Sequence, residues 1–373
     1  MDDFTPFLQI IHISDLHISN PKSGEAIAVR GLIRKLRRIL PASIVAAIED
    51  GIAPHDRLAV DLFREFLQRL LAKGSPWANC KTWLVDTGDL TSLGDKDSLD
   101  LGIEVVNDLA KMCSDKTSIY GNHDAWPGKL PAWARTEEIA SQKKVLAKLK
   151  YSLDAPKLTL QVDVPNGAVV QLFAVDSINH NRWPNLRALG KISQEQLEGF
   201  ARLVDENYSP DQPQFRILAV HHPIHYPPPR PRFQMSLSND GQVAGILDTP
   251  TEKGAYPLAH LVLSGHTHFL YPQHGTLPTQ PSLCVHPDLG NDQCQFIVGT
   301  LMQLDKYDKR EGWPHQCEVL RLYYSPSNDS VLLMERLLVA RQSGTNYRGM
   351  GIGPYRFVQC SESVVTEEMT FSL

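Results

Sequence analysis

The stretch Leu8-Gln9-Ile10-Ile11-His12-Ile13-Ser14-Asp15-Leu16-His17 sets the reading of the whole chain. It opens as a short, mostly apolar run, the pattern of a buried strand. Two metal-competent side chains, Asp15 and His17, stand just past its end. The arrangement recurs along the sequence. Lys81-Thr82-Trp83-Leu84-Val85 leads to Gly88-Asp89, and Thr117-Ser118-Ile119-Tyr120 leads to Gly121-Asn122-His123-Asp124. Phe215 to Val220 ends at His221-His222-Pro223, and Leu261-Val262-Leu263 ends at Gly265-His266-Thr267-His268. In open α/β sheets, sites form beyond the carboxyl ends of strands. Groups far apart in sequence are therefore expected to converge.

Together these strand ends supply carboxylates, an amide and several imidazoles, more than one ion requires. Mixed oxygen and nitrogen ligands suit Mn, Fe, Zn, Co or Ni rather than Ca or a thiolate-bound metal. Two such ions ~3.5–4 Å apart clamp a phosphoryl group for in-line attack. Asp89, a short carboxylate following a glycine, is the natural bridge between them.

Residues 20–54 read as a helical insertion. Val29, Leu32, Ile33, Leu36 and Leu40 share one helix face, Arg30, Arg34, Arg37 and Arg38 lie opposite, and Pro41 ends the helix. From Lys22 to Leu40 six basic residues stand against one acidic, in a chain of net charge −5. That face is either solvated or a cationic lid that draws in an anionic substrate. Further helices are expected over 56–71, 99–112 and 193–206, the last with Ser193 as N-cap and Gln196 completing a capping box. Strands at 158–164 and 169–176 form an antiparallel pair around Pro165-Asn166-Gly167, and more strands follow over 295–340. Residues 1–342 read as one catalytic domain and 343–373 as a tail without assigned structure.

The 373 residues carry 37 Lys+Arg against 42 Asp+Glu, which argues against a protein built to wrap long nucleic acid. No stretch offers the ~20 apolar residues of a membrane span. Met1-Asp2-Asp3 lacks the basic start of a secretory signal. The six cysteines include no CxxC pair; a Cys284–Cys294 disulfide is possible in principle, but free thiols in a reducing cytosol are the expectation.

Asp-x-His, Gly-Asp, Gly-Asn-His-Asp, His-x-Pro and Gly-His-x-His, in this order, resemble the calcineurin-like metallophosphoesterase family over roughly residues 8 to 300. Gly190-Lys191-Ile192-Ser193 with Gln196-Leu197, and the His-His-Pro form of the fourth motif, are similar to its class III cyclic-nucleotide and glycerophosphodiester phosphodiesterase branch. The resemblance implies a two-sheet α/β/β/α sandwich and two metal ions. Asp15, His17, Asp89 and His268 would hold the first, and Asp89, Asn122, His221 and His266 the second. It implies a metal-bridging hydroxide as nucleophile, His123 as the group assisting the leaving oxygen, and Asp124 as its orienting partner. A small phosphodiester, with cyclic nucleotides leading, is the expected substrate. The 71 residues between His17 and Asp89 exceed the family's usual single crossover helix, and Tyr226 to Arg232 is unusually rich in proline.

Other readings stand beside this one. A phosphomonoesterase or a nuclease acting on short ends would use the same metals, and a non-catalytic scaffold would use the same fold. His12, His55, His180, His260, His286 and His315 read as hydrogen-bonded core residues. His222 and His225 are undecided. Trp126, Trp183 and Arg182 either line a base-stacking pocket or simply pack.

Overall fold

The chain is seen in a computed structural model that describes residues 4–20, 22, 31, 33–35, 37–39, 41, 55, 57–75, 78–92, 94–125, 155–178, 189–224, 237–267, 294–302, 315–341, 348–358 and 370–371. The opening run forms β1 (Thr5–Ile13), followed by α1 (Arg57–Leu70), β2 (Lys81–Asp86), α2 (Lys96–Ala110) and β3 (Asp115–Ser118). Next come β4 (Lys157–Asp163), β5 (Val169–Ala174), α3 (Gln194–Glu206), β6 (Gln214–Ala219), α4 (Asp240–Leu247) and β7 (Leu261–Ser264). The chain continues with β8 (Cys294–Ile297), β9 (His315–Ser325), β10 (Asn328–Arg341), β11 (Arg348–Val358) and β12 (Thr370–Phe371).

These strands make a seven-stranded sheet, ordered β12-β11-β10-β9-β1-β2-β3, and a five-stranded sheet, ordered β4-β5-β6-β7-β8. Strands β1, β2 and β3 run parallel, as do β5 to β8. Their carboxyl ends therefore share one edge in each sheet. The unplaced tail contributes β11, which pairs antiparallel along β10.

Alternation along the strands builds the layers. Leu8 and Ile10 of β1, Trp83 and Val85 of β2, and Leu320 and Leu322 of β9 face Leu172, Ile217, Leu261 and Phe296 in the core between the sheets. Ile11, Ile13 and Leu84 turn to the other side and pack against Phe63 and Leu67 of α1 and Leu99 and Val106 of α2. On the far sheet, Phe173, Leu218 and Val262 pack against Leu197 and Phe200 of α3 and Val243 and Leu247 of α4. The result is the expected α/β/β/α sandwich. Most of the insertion over 20–54 lies outside the described residues.

Local chemistry explains the helix boundaries. Ser193 caps α3 by accepting from the Gln196 N–H. The other half of the expected box is absent, because the Gln196 side chain accepts instead from the Asp176 N–H at 3.4 Å. In α2, a Cβ on Gly102 would stand 2.7 Å from Leu90 Cγ. The missing side chain lets this helix press on the loop that carries Asp89. Gly102→Ala is thus expected to destabilise the fold: overpacking costs about 1–3 kcal/mol, against about 1 kcal/mol of helix propensity regained. Thermal unfolding checks this, and an unchanged or raised midpoint would show that Leu90 yields without cost.

Candidate metal centre

The loops after β1 and β2 extend the parallel ladder beyond the strands. Asp15 N–H donates to Gly88 O at 2.8 Å, His17 N–H to Asp89 O at 3.0 Å, and Ile18 N–H to Leu90 O at 2.9 Å. This ladder runs through residues with left-handed backbones: Asp15, His17 and Asp89 have φ of 53°, 51° and 53°, and His266 across the sandwich has 69°. Non-glycine residues held so are strained, and such strain clusters at functional sites. Gly121 completes the packing, since a Cβ there would collide with the Asp89 carboxylate and stand 2.5 Å from the Asp89 nitrogen.

The five strand ends converge. Asp15 Oδ2 accepts from the His266 N–H at 2.8 Å, which ties one sheet's loop to the other's. Asp15, His17 and Asp89 form one buried group able to hold a metal ion. His17 Nε2 is 3.8 Å from Asp15 Oδ1 and 4.0 Å from Asp89 Oδ2. Beside it, His221 Nε2 is 3.0 Å from Asn122 Oδ1, 3.1 Å from His266 Nδ1 and 3.3 Å from Asp89 Oδ2. Asp89 thus faces both sets. The predicted ligand His268 lies outside the described residues, as do Arg30, Trp126, Trp183, Arg182 and the proline-rich loop, while Arg34, Arg37 and Arg38 of the insertion's basic face are exposed.

The donor chemistry fits a cation. His221 Nδ1 lies 2.8 Å from the Thr87 carbonyl, which can only accept, so Nδ1 carries a proton. Its Nε2 then faces a carboxylate oxygen, an amide oxygen and a second imidazole nitrogen, a set that only a proton or a metal cation can join. Burial would lower the His221 imidazole, but the Asp89 carboxylate outweighs it and raises the group to about 9. Burial works in the opposite direction on Asp89, and the His221 and His123 imidazoles override it, holding that carboxyl well below the usual range. Negative charge and lone pairs are concentrated here without water to screen them.

His123 sits at the edge of the group, 9% exposed against 0% for Asp15, His17 and Asp89. Its backbone N–H donates to Asp89 Oδ1 at 2.8 Å, and its ring lies edge-on to His17 at 4.8 Å between centroids. The orienting role expected of Asp124 falls elsewhere. His123 Nδ1 is 2.9 Å from the Ser92 carbonyl. The Asp124 carboxylate accepts from the N–H groups of Leu90, Thr91 and Gly121 and from the Thr91 hydroxyl, at 2.8 to 3.1 Å. Burial and the charge of Asp89 push Asp124 up to about 7 despite those hydrogen bonds. It acts as a clasp on the loop after Asp89. Ser92 carries no sequence signal, because its contribution is a backbone carbonyl.

His222 proves fully buried, and its ring lies 4.2 Å from that of His266. Its Nδ1 is 2.8 Å from Ser177 Oγ, and burial, then His266 and His221, push its pKa well below the usual imidazole value. Gly190 makes room for it: a Cβ there would collide with the His222 ring. His222, His221 and His266 are themselves a group able to hold a metal ion. The core reading of His12, His55 and His260 agrees with their burial and their hydrogen bonds to Glu318, the Ser19 N–H and the Arg216 N–H.

Buried carboxylates and imidazoles at the carboxyl edges of two packed sheets define a metallophosphoesterase-like α/β sandwich. The chain belongs to the calcineurin-like phosphoesterase family, which matches residues 8–270. The family's activity is metal-dependent phosphoester hydrolysis and its members usually bind two metal ions. No curated protein matches the chain. Among solved structures, one match is described as GAP50, the anchor in the inner membrane complex of Plasmodium; it is 10% identical, with a TM-score of 0.38, over 99% of this chain and 90% of that one. Among the described residues no helix is long and apolar enough to cross a membrane.

Proposed function

We propose that this chain is a dinuclear metal-dependent phosphodiester hydrolase, with small diesters, cyclic nucleotides foremost, as its substrates. The observation that carries the reading is the position of Asp89, whose Oδ2 lies between His221 Nε2 at 3.3 Å and His17 Nε2 at 4.0 Å. Asp15, His17, Asp89 and His268 would hold one ion, and Asp89, Asn122, His221 and His266 the other. Bound there, the ions supply Lewis acidity, lowering the pKa of water and offsetting phosphoryl charge. The protein's own groups do the rest. Thr87 and Asp124 hold the ligand-bearing loops, burial excludes bulk water, and His123 protonates the departing oxygen from the exposed edge.

The diester preference rests on Gly190-Lys191-Ile192-Ser193 and His221-His222-Pro223, which resemble the class III branch. Cys80, Cys113 and Cys317 are free thiols, which supports a cytosolic setting. A panel of cyclic nucleotides, glycerophosphodiesters, nucleoside monophosphates and short oligonucleotides, assayed with Mn²⁺, tests the reading. Turnover of cyclic nucleotides above the others is expected. Faster hydrolysis of monoesters or oligonucleotides would replace the substrate class, and inertness toward all of them, activated diesters included, would favour a non-catalytic scaffold.

A further inference from the structure

The layer between the sheets is apolar along most of β1, β9 and β10, with Leu8 and Ile10, Leu320 and Leu322, and Leu332 and Met334 facing inward. At the end nearest the metal centre the alternation places three polar residues in the same layer: His12 on β1, Glu318 on β9 and Arg336 on β10. His12 and Glu318 are register partners, and all three side chains are at most 1% exposed. Glu318 Oε2 accepts from Arg336 Nε at 2.6 Å, and Glu318 Oε1 lies 2.7 Å from His12 Nδ1. His12 Nε2 lies 3.0 Å from Thr87 Oγ1, while the second contact of that hydroxyl, to the Ile13 carbonyl, is longer at 3.4 Å. The Arg336 guanidinium rests on the Phe296 ring at 4.1 Å.

An ionised carboxylate can only accept, so the proton between Glu318 and His12 belongs to His12 Nδ1. The other ring nitrogen, Nε2, then meets the Thr87 hydroxyl. Thr87 is the residue whose carbonyl takes the His221 Nδ1 proton, and it stands two positions before Asp89. Apolar side chains in such a layer generally stabilise a fold at least as well as a buried ion pair. The polar row is therefore unlike its surroundings, and through Thr87 it leads to the metal centre.

We infer that Arg336, Glu318, His12 and Thr87 form a positioning chain that fixes the Thr87 backbone and, through it, the tautomer and orientation of His221 and the placement of Asp89. None of the four is a catalytic residue, since none touches the reacting atoms. Glu318 and Arg336 also lie beyond the 8–270 family match, so the C-terminal strands take part in building the site. The inference rests on the metal-binding reading proposed above.

Binding of Mn²⁺ to the metal-stripped protein, followed by calorimetry, tests it. Thr87→Val keeps the shape of the side chain and removes the hydroxyl, and it is expected to weaken Mn²⁺ binding about 10- to 100-fold, the usual effect of losing a partner behind a ligand. Thr87→Ser should restore most of the affinity. Ile217→Val, a truncation in the inter-sheet core, serves as the stability control and should leave affinity near wild type. Glu318→Gln provides a second, independent break and should weaken binding in the same direction. Wild-type affinity in both Thr87→Val and Glu318→Gln would overturn the inference while sparing the metal-binding reading. A wild-type protein that takes up no Mn²⁺ would overturn both.

Discussion

Asp89→Asn is expected to reduce turnover by well over 100-fold and to lower bound metal, exceeding the 10–100-fold that an outer partner usually contributes. The two oxygens of Asp89 have different duties. Oδ1 accepts from the His123 N–H at 2.8 Å, and Oδ2 faces His221 and His17. An asparagine must choose between them. With its amide oxygen at the Oδ1 position it keeps the His123 contact but presents an NH₂ group where ligands are required. In the reverse orientation two donors, the NH₂ and the His123 N–H, oppose each other. Either way a unit of negative charge is lost from a buried site. Metal content and hydrolysis of an activated diester, measured on the same preparation, check this. Near-normal activity would contradict the bridging role.

His123→Ala is expected to act differently, lowering kcat by about 10²–10⁴, the range for a lost general acid, while metal content stays near wild type. The Ser92 carbonyl holds Nδ1, which turns Nε2 to the opposite side of the ring. A leaving group that is stable as an anion needs no proton from it. The loss should therefore be smaller for a p-nitrophenyl diester than for one with an alkyl leaving group. Equal losses on both substrates would count against proton donation. Simultaneous loss of metal would make His123 a ligand.

The positions proposed to hold metal are legible because each follows an apolar run that reads as a buried strand, and parallel strands bring such ends to one edge. Asp15, Asp89, Asn122, His221 and His266 meet for that reason. The convergence of loops from two different sheets, seen in the Asp15–His266 contact, follows from the sandwich and not from any one motif. Glu318 and Arg336 were not legible. Single charged residues in an alternating strand read as outward-facing, and the pairing of His12 with Glu318 joins positions 306 apart. The partners of Asp124 are not legible either, since a motif order says nothing of whether a carboxylate meets a side chain or four loop donors. The place of His222 is set by Ser177 and Gly190, which form its socket from distant positions that no motif links to it.

The central claim is a pair of cations held around Asp89. Anomalous diffraction from crystals grown with Mn²⁺ addresses it directly. The account predicts two peaks about 3.5–4 Å apart, one beside Asp15 and His17, the other beside Asn122, His221 and His266, with Asp89 reaching both. A single peak, or none within coordinating reach of Asp89, would contradict it.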